Sequence, residues 1–373
     1  MNIPLLLPFM APEVPDEVAK VIRSGWVGQG PVVDQFEDAI GQFLRVPTEH
    51  IVTVNSCTSA LQLALRLAGV GPGDEVISTP ATNLATNMTI LQAGASIVWA
   101  DVDPRTGRVR PDTLPSVRES TKALMVMDFG GTVCDLASLS SFCHKHNIKL
   151  IVDAAHSFGA TYDSRHQYYW ADYVCHSFQA VKTLSTWDGG ALICKDRKDA
   201  DRARKLRWFS LDRVNTTPDD PRCLQQDVHE WGYKAHLHDV AAACGLVNIK
   251  YTKELIEKQR ANAAYYDKFF DKNGIGHITV PEDRKSSYWL YTLLLNGQGE
   301  RGKLAERLKF EGIGCSIVHA RNDAHSLFKT FSRALPGVDE FYRTQLSIPV
   351  GHWLTEEDRS FVAESVKNIL CWK

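Results

Sequence analysis

The sequence predicts an α/β protein: a mostly parallel central sheet flanked by helices, followed by a smaller C-terminal α+β domain. Short apolar strand patterns alternate with helical ones between residues 51 and 194, which is how a sheet covered on both faces is written in sequence. A long helical pattern, from Val240 to about Phe270, ends the alternation. Beyond it come strand patterns at 287–295, beginning Ser287-Tyr288-Trp289, and at 314–319, with a helix at 302–311 between them. The expected division is a large domain over 1–245 and a small one over 246–373.

Two amphipathic helices are expected first, over 14–24 and 32–44. Val33, Phe36, Ile40 and Phe43 share one face of the second. Between them, Gly25-Trp26-Val27-Gly28-Gln29-Gly30-Pro31 is too glycine-rich for helix. Such a stretch is ordinarily a turn. Beside an active site it can line a substrate pocket, which makes Trp26 and Gly28 candidate substrate residues.

A strand at 51–54 runs into Asn55-Ser56-Cys57-Thr58-Ser59 and then a helix with Ala60, Leu61, Ala64, Leu65 and Ala68 on one face, stopped by Gly69 and Gly71-Pro72-Gly73. Hydroxyl residues at a helix head are usually N-caps. Free amides and the positive end of the helix dipole also make an anion site there, to which Ser56 and Thr58 can donate. Strands follow at 76–78, 97–100, 123–127 and 150–152, with helices at 84–93 and 135–146. In open sheets of this kind ligands gather at the carboxyl ends of the strands. Segments 56–58, 80–83, 153–156 and 177–182 all fall at such ends.

The last of these is Ser177-Phe178-Gln179-Ala180-Val181-Lys182, closed by Asp188-Gly189-Gly190 before a strand at 191–194. A lone lysine between strands is usually solvated. Here hydroxyl and amide groups precede it, and two glycines let backbone approach a ligand closely. Lys182 is therefore the candidate Schiff-base lysine of a pyridoxal phosphate site. Asp153, straight after a strand, is a helix N-cap or, beside a pyridine ring, the carboxylate that keeps the ring nitrogen protonated.

The remaining stretches are less specific. Residues 200–213 read as a basic, solvated helix and 215–223 as a polar loop. Residues 231–239 are dense in aromatic and cationic groups. His319-Ala320-Arg321-Asn322-Asp323 reads either as a capped turn with a surface ion pair, or as a place where His319 and Arg321 reach a phosphate or carboxylate.

Composition narrows the function classes. With 373 residues, 44% hydrophobic and 23% charged, the chain can bury a large core, and its net charge of −2 points to neither nucleic acid nor a membrane surface. The nine cysteines include no CxxC pair, so neither a disulfide framework nor a metal site is expected. No signal peptide and no membrane-spanning run is evident, and a cytoplasmic protein is expected.

Taken in order, these motifs resemble the DegT/DnrJ/EryC1/StrS sugar aminotransferases over nearly the whole chain. The resemblance rests on Ser24-Gly25-Trp26-Val27-Gly28-Gln29-Gly30, Asn55-Ser56-Cys57-Thr58-Ser59, Val70-Gly71-Pro72-Gly73-Asp74, Asp153-Ala154-Ala155-His156, the Ser177 to Lys182 segment and Asp188-Gly189-Gly190. It implies the PLP-dependent transferase fold type I, the aspartate-aminotransferase-like fold. It implies pyridoxal phosphate on Lys182 and Asp153 on the ring nitrogen. His156 would lie near the ring hydroxyl, and Ser56, Cys57, Thr58, Ser177 and Gln179 would hold the phosphate. It also implies a homodimer with shared active sites.

Departures from the family pattern stand at four positions. Asn83 occupies the place of a stacking aromatic, and Trp187 that of a glycine. In Gly232-Tyr233-Lys234-Ala235-His236, Lys234 replaces an asparagine that reaches the partner's phosphate, and His236 replaces an arginine. The implied activity moves an amino group from an amino acid, glutamate, to a ketone on a nucleotide-linked sugar, in polysaccharide or deoxyaminosugar biosynthesis. A small phosphorylated ketone is the alternative acceptor, suited to Trp187, Lys234, His236, His319 and Arg321. A sugar dehydratase of this family would carry histidine at Lys182. A non-catalytic cofactor-binding protein would not need Lys182, Asp153 and the phosphate turn intact.

Overall fold

The computed structural model describes residues 2–213 and 226–371; the loop expected at 215–223 lies outside them. Helices α1 (Val14–Ser24) and α2 (Pro31–Leu44) precede β1 (Ile51–Val54) and α3 (Cys57–Leu67). There follow β2 (Glu75–Ser78), α4 (Leu84–Gln92), β3 (Ser96–Trp99), β4 (Thr121–Met127), α5 (Leu136–Lys145) and β5 (Lys149–Asp153). The two-residue β6 (Thr161–Tyr162) leads to β7 (Tyr173–Ser177), β8 (Gly190–Cys194) and α6 (Arg197–Leu206). The second half holds α7 (Asp239–Lys272), β9 (Arg284–Lys285), β10 (Tyr291–Leu294), α8 (Gln298–Phe310), α9 (Pro336–Thr344), β11 (Gln345–Ile348) and α10 (Glu356–Cys371).

Seven strands form one sheet in the order β1-β8-β7-β5-β4-β2-β3. All run parallel except β8, which is antiparallel to both neighbours. Their side chains are almost entirely buried, as a sheet covered on both faces requires. The carboxyl ends of β1, β5 and β7 therefore open at one edge, where β8 begins. Gly190, the first residue of β8, is paired with both Val54 and Ser177. A Cβ at Gly190 would lie 2.6 Å from the Cys57 nitrogen and the Ser56 carbonyl carbon, and 2.8 Å from the His176 oxygen. This glycine lets the head of α3 close onto the end of β7.

A second core is built from β10, β11, α8, α10 and the far end of α7. Tyr266, Phe270, Leu293, Leu304, Leu308, Ile348 and Val366 meet there, while Ala241, Ala242 and Ile249 of α7 belong to the core beneath the large sheet. The helix thus passes residue 245 unbroken and serves both cores. Among the described residues no helix is long and apolar enough to cross a membrane.

Three expectations are corrected. The helix expected over 200–213 stops at Leu206, because Phe209 and Ser210 turn left-handed and Trp208 bridges to Lys234. The strand expected at 287–295 pairs only over Tyr291–Leu294, its first residues being held by the glycines after β4. Residues 314–319 form no ladder. Ser316 bridges Ser347 alone, and Val318 has φ 62°. The partner of β10 is instead β11, which sequence reasoning missed.

Gly190→Ala is expected to destabilise the protein by about 1–3 kcal/mol, since backbone rather than a flexible side chain blocks the added methyl. Urea unfolding measures this; an unchanged midpoint would contradict the close approach.

Candidate active site

Asp153 ends β5 and is buried. The Thr86 hydroxyl of α4 donates to its Oδ2 at 2.6 Å, and the Ala155 N–H to its Oδ1 at 3.1 Å. Burial raises the Asp153 pKa, opposed by these two hydrogen bonds and by the charge of Lys182. The Cys57 thiol stands 4.0 Å from Oδ1, and burial, reinforced by that carboxylate, pushes it well above its ordinary range.

Lys182 lies in the turn after β7. Its N–H donates to the Gln179 carbonyl at 2.8 Å, and the Val181 N–H to Gln179 Oε1 at 3.1 Å, so Gln179 shapes the turn. Trp289, from the second half of the chain, closes over it: Lys182 Nζ lies 3.6 Å from the indole centroid, and Trp289 Nε1 donates to the Val181 carbonyl at 2.9 Å. Burial lowers the Lys182 pKa to about 8, against the pull of Asp153 and Cys57 in the other direction. A lysine near 8 is partly uncharged in neutral solution and can attack a carbonyl, which an ordinary surface lysine rarely does.

The same indole lies against His156, with ring centroids 3.7 Å apart. His156 is buried, and its Nε2 is 3.3 Å from Nε2 of His319, whose ring is inclined to it by only 20° with centroids 5.3 Å apart. Burial, then the charges of Lys182 and His319, holds His156 well below its usual value, and burial and Lys182 hold His319 down to about 4. His156 Nδ1 is buried without a partner among the described residues. Asn83 is the N-cap of α4, accepting from the Ala85 N–H at 2.9 Å, and its Nδ2 lies 3.4 Å from His319 Nδ1.

Ser56 caps α3 by accepting from the Ser59 N–H at 3.1 Å. Cys57 and Thr58 open the helix, whose first amides have no intrahelical acceptor. Ser177 is buried at the end of β7 and accepts weakly from the Gln179 N–H at 3.4 Å.

The other candidates lie outside this group. Gly28 accepts from the Asp239 N–H, and the Asp239 carboxylate accepts from Gly30, so the loop bearing Trp26 is pinned to the head of α7. Trp26 is 47% exposed and lines a cavity of about 530 Å³ there. Lys234 Nζ sits 3.1 Å from the centroid of Trp208, and the His236 ring lies 3.9 Å from the same indole. Burial and the charge of Lys234 push His236 down to about 3. Arg321 donates to both oxygens of Asp323, at 2.7 and 2.6 Å, and pairs with Asp339 as well. Trp187 is 42% exposed with φ 66°, which gives the physical reason that a glycine suits its position.

Sequence reasoning missed Thr86 and Trp289 as site residues. Thr86 lies three residues beyond the Asn83 cap, so helical spacing could have placed it on the same side. Trp289 arrives by a chain reversal that leaves no local signal. Gly131, with φ 99°, makes room for it: a Cβ there would lie 2.7 Å from Ser287 Oγ and 2.9 Å from the Trp289 nitrogen. Ser287 also donates to the His156 carbonyl at 3.0 Å. Tyr288 and Val318, the residues just before Trp289 and His319, have φ 51° and 62°. Such backbone is costly for side chains with Cβ and gathers at functional sites.

These donors fit pyridoxal phosphate. Lys182 has a depressed pKa for an aldehyde, Asp153 is a buried carboxylate for a pyridinium, the head of α3 is open to a phosphate, and His156 Nδ1 has no partner among the described residues. Fold and site together define a PLP-dependent transferase of fold type I. The sequence profile of the DegT/DnrJ/EryC1/StrS aminotransferase family matches residues 9–367, and the chain belongs to that family. The spore coat polysaccharide biosynthesis protein SpsC of Bacillus subtilis is 32% identical, over 99% of this chain and 97% of its own. The UDP-4-amino-4,6-dideoxy-N-acetyl-beta-L-altrosamine transaminase of Campylobacter jejuni is 31% identical, over 95% and 94%. The crystal structure of the sugar aminotransferase CalS13 from Micromonospora echinospora superposes with a TM-score of 0.92 at 35% identity, covering 98% of this chain and 99% of that one.

The burial of His319 has a pH signature. An unfolded histidine protonates near 6.5, the folded His319 only near 4. The stability tied to its neutral form is complete above about 6.5 and is lost as pH falls towards 4. Measured by urea midpoints, the parent is expected to lose stability relative to His319→Gln over that window. A difference that stays constant with pH would contradict the burial.

Proposed function

We propose that this aminotransferase carries pyridoxal phosphate on Lys182 and moves an amino group from glutamate to a ketone on a nucleotide-linked sugar, as a cytoplasmic homodimer. The observation that carries the cofactor assignment is Lys182 itself, enclosed by Trp289, lowered to about 8 and close enough to Asp153 to feel its charge. Bound there, the cofactor supplies an electron sink for the carbon that exchanges its amine.

The protein's own groups have separate tasks. Asp153 holds a proton on the ring nitrogen, and Thr86 with the Ala155 amide keeps this carboxylate ionised against its burial. The head of α3, with Ser56, Cys57 and Thr58, binds the phosphate together with Ser177 and Gln179. Lys182 Nζ moves the proton at the amine-bearing carbon. Trp289 and His319 exclude water from one side. In a dimer, Lys234 of one protomer would reach the phosphate held by its partner, and Trp26, Gly28 and His236 would border the acceptor.

The nucleotide-sugar reading is supported by the named activity of the Campylobacter transaminase and by the polysaccharide role in the name of the Bacillus protein. A compact phosphorylated ketone is the alternative acceptor, and the feature that favours it is Trp187, a bulky, exposed side chain where the family pattern has glycine. In both readings Arg321 must first release Asp323 or Asp339 to meet an anion.

Lys182→Ala is expected to lower turnover by at least about 10³-fold and to lose the absorption band of lysine-bound cofactor; a retained band would move the assignment elsewhere. The acceptor is tested by loading pyridoxamine phosphate and adding nucleotide-linked keto-sugars or small keto-phosphates. Return of the lysine-bound absorption with the nucleotide sugars is the expected result. Return with the small phosphates alone would shift the acceptor, and no return with any ketone would contradict the activity.

A further inference from the structure

We infer that Asn83 and His319 form a relay that sets the tautomer of His156, so that His156 presents an N–H from Nδ1 to an anionic oxygen of the group held at Lys182. The identity of that oxygen, the phenolate of the pyridoxal ring, rests on the proposed cofactor. The relay is a property of the protein alone.

The direction of every hydrogen in the relay follows from one fixed end. Asn83 is an N-cap, and capping takes an acceptor, so the atom 2.9 Å from the Ala85 N–H is the amide oxygen. The other amide atom, 3.4 Å from His319 Nδ1, is then the NH2 group, which can only donate. His319 Nδ1 accepts. A neutral imidazole that accepts at one nitrogen carries its proton on the other, so His319 Nε2 donates to His156 Nε2 across 3.3 Å. By the same rule His156 carries its proton on Nδ1. Both rings are neutral near pH 7, since burial holds His156 well below its usual range and His319 near 4. The chain ends on a buried donor with no acceptor among the described residues, and a buried polar group in that condition needs a partner.

The backbone shows that His319 is delivered there at a cost. Its N–H donates to the carbonyl of Ile317, two residues back, at 2.8 Å. Val318 between them has φ 62°. This is a γ-turn of the strained positive-φ kind, and Val318 is β-branched, the residue type least suited to it. Asn322 pins the turn to α4 and the segment before it. Its N–H donates to the Pro80 carbonyl at 3.0 Å and its Nδ2 to the Thr82 carbonyl at 2.9 Å, while Asn87 donates to its Oδ1 at 2.8 Å. Asn322 therefore keeps His319 in register with Asn83. Asn83, which departs from the aromatic residue of the family pattern, acquires a task here as a positioning residue.

The test is ¹⁵N NMR of histidine-labelled apoprotein near neutral pH, with the His156 signals assigned by their loss in His156→Asn, together with the affinity of each variant for pyridoxal phosphate. The parent is expected to show His156 with the proton on Nδ1. Asn83→Ser keeps a capping oxygen but cannot reach His319, and His319→Ala breaks the relay. Both are expected to shift His156 towards the Nε2–H form and to bind the cofactor about tenfold more weakly, the loss of one hydrogen bond to a charged acceptor. His319→Gln preserves an acceptor and a donor in the right order and is expected to restore both readouts. A parent with the proton on His156 Nε2 overturns the relay without any variant. An unchanged tautomer and affinity in His319→Ala overturns it too. The Nδ1–H form in a parent that gains no lysine-bound absorption would uphold the relay and overturn the cofactor as its acceptor.

Discussion

Desolvation of two opposite charges at one edge of the sheet is the constraint on which the rest depends. Burial pushes Lys182 down and Asp153 up; Asp153 is the larger charge support of Lys182, while Asp153 is held by Thr86 and the Ala155 amide first and by Lys182 after them. Without that mutual attraction, and without the hydrogen bonds from Thr86 and the Ala155 amide, both groups would drift further towards their neutral forms. A protonated pyridine nitrogen held by Asp153 would give that carboxylate a positive neighbour.

Holding this arrangement requires backbone at unusually short range and in unusual conformations. Gly190 brings the head of α3 against the end of β7. Gly131 brings the Trp289 segment, more than 150 residues away in sequence, against the sheet edge. Tyr288 and Val318 turn left-handed just before the two aromatic side chains that enclose Lys182 and His156. Strain of this kind persists only where surrounding packing over-determines it, and here the surroundings are the large core on one side and the helix α7, shared by both cores, on the other.

Much of the architecture was legible because it is local. The strands from Ile51 to Asp153 and the helices between them are periodic apolar patterns, and the motif residues sit at strand ends because the topology of a parallel sheet puts them there. Lys182, Asp153 and Ser56 could be assigned to one place for that reason. The closure of the site was not legible. Trp289 arrives on a segment that looks like the start of a strand, and its turn depends on Gly131, whose role appears only in three dimensions. The residues at 314–319 carry a strand pattern, but Val318 bends away from it to deliver His319. Asn83 looked like a lost stacking residue, whereas the structure gives it a cap and a histidine. Arg321 could be read either as part of a surface ion pair or as a substrate contact, and two carboxylates occupy it.

The central claim is that one lysine among all those in the chain carries the cofactor. Borohydride reduction of the protein with pyridoxal phosphate, followed by peptide mass mapping, addresses it most directly. The account predicts a single stoichiometric adduct on the peptide containing Lys182. An adduct distributed over surface lysines, or placed on Lys234 with Lys182 unmodified, would contradict it.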